Sequence, residues 1–350
     1  GRLSGLRLTL PLSAGILFGI LLIGFTPQFL NYHLIGALVA LGLTGAIAVV
    51  FALHPARLTI GLIFVLLLGQ FSLSTLGGVL ATDRSFFGVY RVLRDRTHYL
   101  SLLHGTTLHG KQSLDPNRQH EPLTYFYPTG PVGQVFQTFG PQRFSQVAVL
   151  GLGIGTLAAY AQPGQHWTFY EIDPTDETLA HRYFTFLQQA PADIDIITGD
   201  GRLAVKSAAA KSYDLLVMDA FSSDSIPIHL VTREAIQLYL DKLTDQGLLV
   251  INISNRYLNL EPILGALAQD LGLVTLRQLE LTVTEAERKL GKTPSHWVLL
   301  AKHQQNFGGL LNDSRWQPIP ITANAPLWTD DFSDIFRVIR AFRRSSLNQS

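Results

Sequence analysis

Four positions in the second half of the chain carry residue types able to do chemistry on one small molecule. Gly151-Leu152-Gly153-Ile154-Gly155-Thr156 directly follows an apolar run at 146–150. Glycine lets the backbone turn tightly and lets a ligand approach the main chain with no Cβ in the way. Glu171 ends the next apolar run, about twenty residues on, where a carboxylate accepts hydrogen bonds from ribose hydroxyls. Asp200, in Gly199-Asp200-Gly201-Arg202, follows a third run and can accept from an exocyclic adenine amine. Asp219 ends a fourth, and a carboxylate there could take a proton from an attacking group. The plainer alternatives are turn glycines beside a surface acid and, for Asp219, a helix N-cap.

The elements that must position these residues follow from periodicity. Apolar runs at 146–150, 168–172, 194–197, 214–218 and 247–253 alternate with helical stretches at 156–161, 177–189 and 232–243. Such alternation implies right-handed crossovers and a parallel sheet covered on both faces. A late strand is expected at 297–301. Ligands of open α/β sheets sit outside the carboxyl ends of the strands. Four successive strand ends carry the glycine loop, Glu171, Asp200 and Asp219, which suits one adenosyl group better than a long dinucleotide. Upstream, the β-forming clusters at 86–92 and 99–103 read as a small antiparallel sheet.

The first third differs. Stretches 8–30, 34–53 and 58–80 hold no Asp, Glu, Lys or Arg. Each reaches the ~20 residues needed to cross a bilayer core, so three transmembrane helices are expected over 1–82. Arg84, Arg91, Arg94 and Arg96 follow and, by the positive-inside rule, place the rest on the cytoplasmic side of a bacterial inner membrane. Small residues such as Gly15 and Gly19 in these stretches favour close helix contacts, and a homo-oligomer is expected. The chain opens on Gly1 and its only methionine is Met218, so segments upstream are expected. The expected organisation is then a membrane segment at 1–82 and a small β domain at 83–135. A Rossmann-like S-adenosyl-binding domain at 136–305 and a tail at 306–350 complete it. A net charge of +1 with 15% charged residues argues against nucleic acid as a partner. Without cysteine there is no disulfide framework, thiolate metal site or cysteine nucleophile, and no metal is expected.

The segment from about Phe86 to Lys302 resembles the polyamine aminopropyltransferases, the spermidine synthase family, in the bacterial branch fused to membrane helices. The resemblance is carried by Leu108-His109-Gly110-Lys111-Gln112, Tyr125 with Tyr127, the glycine loop and Tyr170-Glu171-Ile172-Asp173-Pro174. Gly199-Asp200-Gly201, Asp219-Ala220-Phe221-Ser222-Ser223-Asp224 and Trp328-Thr329-Asp330-Asp331 continue it in order. It implies a small β domain ahead of a Rossmann-like domain, with the active site between them. The implied cosubstrate is decarboxylated S-adenosylmethionine and the co-product 5′-methylthioadenosine. Gln112 would contact the alkyl arm, Glu171 the ribose, Asp200 and Gly201 the adenine side, and Gly151, Gly153 and Gly155 the nucleotide. Asp219 matches the family's catalytic aspartate. His109, Tyr125 and Asp224 would face the acceptor, a diamine in the family.

Three departures bear on that implication. Ile154 stands where the family's glycine loop carries an aspartate, Tyr127 leads into Pro128 with no acid, and Asp224 is farther from Asp219 than the family spacing. Losing an anion near the alkyl arm favours intact S-adenosylmethionine, because like charges repel strongly in a low-dielectric site. Three functions follow: an aminopropyltransferase, an enzyme releasing methylthioadenosine from S-adenosylmethionine without an acceptor, or a non-catalytic sensor or transporter-linked module. A methyltransferase is a fourth. Asp330 and Asp331 are expected to cap a helix starting at Phe332.

Overall fold

Runs of valine, leucine and isoleucine that are apolar at every position, rather than at alternate ones, form strands buried on both faces. In the computed structural model, which describes residues 59, 78–95, 97–105, 107–140, 142–221, 226–254 and 258–338, these runs build a seven-stranded sheet. Two compact units divide the chain, Gly1–Val79 and Leu80–Ser350. Of the first, only Thr59, Gly78 and Val79 are described.

From Gly78 the described chain forms a four-stranded sheet, β1 (Gly78–Arg84), β2 (Val89–Arg94), β3 (Tyr99–His104) and β4 (Thr107–Ser113), in that spatial order. Helix α1 (Pro131–Phe139) leads into β5 (Gln146–Leu150), and β6 (His166–Glu171), α2 (Pro174–Tyr183), α3 (Phe186–Gln189) and β7 (Asp193–Thr198) follow. Then come α4 (Gly201–Lys206), β8 (Tyr213–Met218), α5 (Arg233–Lys242), β9 (Leu243–Asn252) and α6 (Glu261–Asp270). The last elements are β10 (Val274–Glu280), α7 (Glu285–Lys289) and β11 (Ser295–Ala301). The large sheet runs β10-β11-β9-β8-β5-β6-β7. Strands β5 to β9 pair in parallel, while β11 is antiparallel to both β9 and β10.

Residue parity sets the two faces. Val147, Val149, Leu215, Val217, Leu248 and Val250 enter one core with Val132 and Val135 of α1. Ala148, Leu150, Leu216, Met218, Leu249 and Ile251 enter the other with Ile236 and Tyr239 of α5 and Ile263 and Leu267 of α6. The chain leaves β5 toward β6 on one side and returns through β8 on the other. That reversal opens a crevice at the strands' carboxyl ends.

A third core joins the small sheet to this crevice. Tyr90, Val92, Leu100 and Leu102 pack with Ile154 of the glycine loop and with Leu179, Phe184 and Phe186. Ile154 is fully buried there, and a Cβ on Gly110 of β4 would lie 2.4 Å from its Cγ1. Glycine at 110 is what lets the sheet sit down on the loop.

Several expectations are corrected. The α-helices described are at most 10 residues long, and no helix among the described residues is long and apolar enough to cross a membrane. The transmembrane segment, the lipid bilayer as partner and the inner-membrane placement are therefore withdrawn. Stretches 8–30 and 34–53 lie outside the described residues, and so does 58–80 apart from Thr59 and its end. That end, Gly78 to Leu80, is the exposed start of β1, where Val79 and Thr82 favour extended backbone. The helix expected at 177–189 starts earlier and breaks. Pro174 opens α2, Asp173 caps it by accepting the Thr175 N–H at 2.9 Å, and the chain turns extended at Phe184. No helix begins at Phe332, and Asp330 accepts instead from Arg202.

Replacing Ile154 by Asp puts a carboxylate into an apolar core with no cation in it. The variant should lose roughly 3–5 kcal/mol of stability, read as a lower urea midpoint at unchanged slope.

Candidate functional site

A cavity of about 580 Å³ opens between the small sheet and the carboxyl ends of the central strands. Gly151, Leu152 and Gly153 form its floor, and Glu171, Asp176, Asp200 and Asp219 bring carboxylates to its wall. Those four acids share a lining that contains no lysine or arginine among the described residues. His104, His109 and His229 are its basic side chains.

The loop's geometry follows from its glycines. Gly151 has φ +97°, and a Cβ there would lie 2.6 Å from the Asp219 carbonyl oxygen. The Gly151 N–H donates to Tyr170 O at 2.8 Å and the Asp219 N–H to Leu150 O at 2.9 Å, so loop and strand ends are held together. Gly155, also left-handed, starts a short 3-10 turn at Thr156–Tyr160 and does not line the cavity.

Glu171, at the end of β6, is buried. Its Oε2 accepts from Leu152 N at 2.8 Å and its Oε1 from Asp173 N at 2.9 Å. Burial raises its pKa, and the N–H groups of Asp173, Leu152 and Ile172 counter that only in part. Asp200 caps α4 by accepting Leu203 N at 2.9 Å, and its other oxygen lies 3.1 Å from His229 Nε2. Gly201 lines the cavity beside it. Behind this pair, Arg202 donates to both oxygens of Asp330 at 2.7 and 2.6 Å.

Asp219 closes β8. Asn252 Nδ2 donates to its Oδ1 at 2.6 Å, and the Tyr125 hydroxyl to its Oδ2 at 3.4 Å. Burial pushes the carboxyl up from 3.8 to about 7, against the downward pull of both donors. Tyr125 is raised in turn, by burial first and then by the Asp219 charge. A carboxylate that titrates near neutrality is matched to general base work.

His109 lines the cavity, its ring centroid 5.3 Å from that of His104, which stacks on Tyr90 at 4.3 Å. Gln112 stands apart. Its amide donates to Gln119 O at 2.8 Å and Thr185 Oγ1 at 2.7 Å, accepts from Thr185 N at 3.2 Å, and does not line the cavity. Asp224 lies outside the described residues. The cavity thus gathers Gly151, Gly153, Glu171, Asp200, Gly201, Asp219, His109 and Tyr125, and leaves out Gly155 and Gln112. No group of three potential metal ligands occurs among the described residues.

Four participants escaped the sequence reading: Tyr90, Asp176, His229 and Asn252. Asn252 had a signal, since it is a lone amide in the apolar run Leu248-Leu249-Val250-Ile251-Asn252-Ile253. Asp176 had one too. Asp173-Pro174 is an N-cap followed by proline at the first helical position, which puts Asp176 in the first turn.

No family model matches the chain. A polyamine aminopropyltransferase of Vibrio vulnificus is 38% identical over 119 residues, 33% of this chain and 39% of that protein. A probable polyamine aminopropyl transferase of Bifidobacterium longum is 33% identical over 109 residues, 30% of this chain and 23% of that one. The chain thus spans less than two fifths of the length of these curated relatives. The crystal structure of a probable spermidine synthase from Corynebacterium glutamicum superposes with a TM-score of 0.54 at 17% identity. It covers 73% of this chain and 98% of its own. The fold is the Rossmann-like α/β fold of that structure. The similarity is to aminopropyltransferases; the membrane-fused branch expected from the sequence is not supported, as no described helix spans a membrane.

The raised Asp219 pKa carries a stability consequence. Its folded value lies above 3.8, so the fold prefers the neutral carboxyl. The stabilisation is whole below about pH 4 and is lost as pH rises through about 7. Asp219→Asn, which cannot ionise, should therefore gain on wild type by roughly 1–3 kcal/mol at pH 8 relative to pH 4, with cavity water screening the upper figure. Denaturant melts of both proteins at the two pH values check this.

Proposed function

We propose that the chain is a transferase of the spermidine-synthase type. It binds S-adenosylmethionine or its decarboxylated form and moves the alkyl arm to an amine. The supporting observation is the Asp219 constellation: a buried carboxylate near its titration point, oriented by Asn252 and Tyr125 over a glycine loop. The acidic lining supports it as well, because a sulfonium is a cation and the wall supplies carboxylates and, among the described residues, no lysine or arginine.

In this reading the adenosyl group lies along Gly151 to Gly153, with its ribose at Glu171 and its adenine toward Asp200. The N–H groups of Leu152, Asp173 and Ile172 occupy three of the roughly four acceptor positions of the Glu171 carboxylate, which leaves room for a hydroxyl donor. The acceptor amine gives its proton to Asp219 and its lone pair to the alkyl carbon next to sulfur. The carbon–sulfur bond breaks toward sulfur, the sulfonium becomes a neutral thioether, and 5′-methylthioadenosine leaves. Tyr125 and Asn252 hold the carboxylate's two oxygens, so the base presents a fixed lone pair to the nitrogen.

A second reading has one observation in its favour. Ile154 is buried in the interlayer core, so the glycine loop adds no acid to the cavity. A methionine carboxylate would meet less repulsion on that side, which favours cleavage of S-adenosylmethionine with no acceptor.

Incubation with each cosubstrate, with and without putrescine, separates the two. Amine-dependent release of methylthioadenosine supports transfer; amine-independent release from S-adenosylmethionine supports the second reading, and S-adenosylhomocysteine would reveal methyl transfer. Asp219→Asn should keep nucleotide affinity within about twofold and lower turnover by about a hundredfold or more. Wild-type turnover should rise with pH to a plateau above about 7, as Asp219 loses its proton. Unchanged turnover in the variant would remove Asp219 as base.

A further inference from the structure

Lys292 is a buried cation that does not line the cavity and that the proposed chemistry does not use. Its side chain is 3% exposed, and all three of its N–H donors are taken. Nζ donates to Glu280 Oε1 at the end of β10 at 2.7 Å and to Glu287 Oε1 of α7 at 3.0 Å. It donates also to Thr129 Oγ1, just before α1, at 3.0 Å, and lies 6.0 Å from the centre of the Tyr127 ring. Burying a charge is costly, and a buried charge bonded this fully fixes the segments that supply its partners.

The main chain at Lys292 reaches one of those segments a second time. It forms a parallel bridge with Thr124. The Thr124 N–H donates to Gly291 O at 2.8 Å, and the Thr293 N–H to Thr124 O at 3.2 Å. Thr124 is fully buried at φ +60°, the left-handed region that a β-branched residue rarely enters. Such a conformation persists only where its surroundings impose it. Here the bridge imposes it, while the ammonium holds Thr129 on the same segment. Tyr125 follows directly, so the turn at Thr124 sets where its ring points. Its hydroxyl lies 3.4 Å from Asp219 Oδ2, and Tyr125, Thr293 and Pro294 all line the cavity.

We propose that Lys292 is a positioning residue that, through its bridge to Thr124, holds the Tyr125 hydroxyl on Asp219. Its catalytic meaning rests on the reading of Asp219 as the base. Tyr125 and Asn252 both favour the ionised carboxyl against burial. With Tyr125 released, Asn252 is left as the donor, and Asp219 keeps its proton to a higher pH. The other titratable groups of the cavity are Glu171, Asp176, Asp200, His104, His109 and His229. Around Lys292 they are Glu280 and Glu287, with Glu121 and Arg118 acting on Tyr127. Asp224 and Arg256, outside the described residues, are common to every protein compared below.

Magnetic resonance of the Asp219 carboxyl carbon against pH tests the assignment, in protein with isotope-labelled aspartate and with Asp219→Asn to identify the signal. No substrate is needed, so the measurement stands apart from the transferase reading. Wild type should titrate at about pH 7. Tyr125→Phe should raise the midpoint by roughly half a pH unit or more. Lys292→Met should reproduce most of that rise and Lys292→Arg, which keeps the charge, little of it. Added to Tyr125→Phe, Lys292→Met should move the midpoint no further. If Lys292→Met does not fold alone, its combination with Glu280→Gln leaves no bared charge at 280 and takes its place. A midpoint unmoved by the Lys292 substitution, or moved equally with and without the Tyr125 hydroxyl, overturns the assignment. A lysine that only stabilised the fold would give one of those two results. The expected shifts in a protein that turns over neither S-adenosyl compound would remove the transferase reading and uphold the Lys292 assignment.

Discussion

Glu171 is the tie on which the cavity depends. One oxygen takes the Leu152 N–H and the other the Asp173 N–H, so one carboxylate fixes the glycine loop and the start of α2 together. The loop's left-handed glycines hold their conformation because that N–H has a definite place to go. Asp173 in turn caps the helix that carries Asp176 and Leu179. Cut the tie, and the floor of the cavity and its acidic corner lose their common reference.

The four acids of the wall are distinguished by their donors rather than by their type. Glu171 is held by backbone groups, Asp200 by a helix N–H and His229, and Asp219 by an amide and a phenol. Asp176 alone among them has an oxygen with no donor. Graded satisfaction of this kind separates roles that a count of carboxylates would merge. A group fully bonded by backbone is a fixed acceptor, and one bonded by side chains can titrate.

Much of the α/β architecture was legible because both-face burial leaves a plain mark in sequence. Strands β5 and β8 begin and end close to their apolar runs, and their carboxyl ends carry the glycine loop and Asp219. Legibility failed where position depends on a partner distant in sequence. Gln112 was expected at the alkyl arm from the resemblance of 108–112, yet Thr185 and Gln119 consume its amide. Asp330 reads as a cap, yet Arg202 claims both its oxygens across the fold. Hydropathy alone misled at the start of β1, where Gly78-Val79-Leu80 extends an apolar run and is nonetheless an exposed strand.

The contact between Gly110 and Ile154 also constrains how such a chain can change. A side chain at 110 would meet Ile154 at 2.4 Å, and an acid at 154 would enter an apolar core. Neither position can be altered first without loss. A lineage exchanging the isoleucine for a loop carboxylate must first loosen the layer of Tyr90, Leu102 and Phe186 above it. Change at this interface is therefore ordered, with the packing altered first and the carboxylate introduced after it.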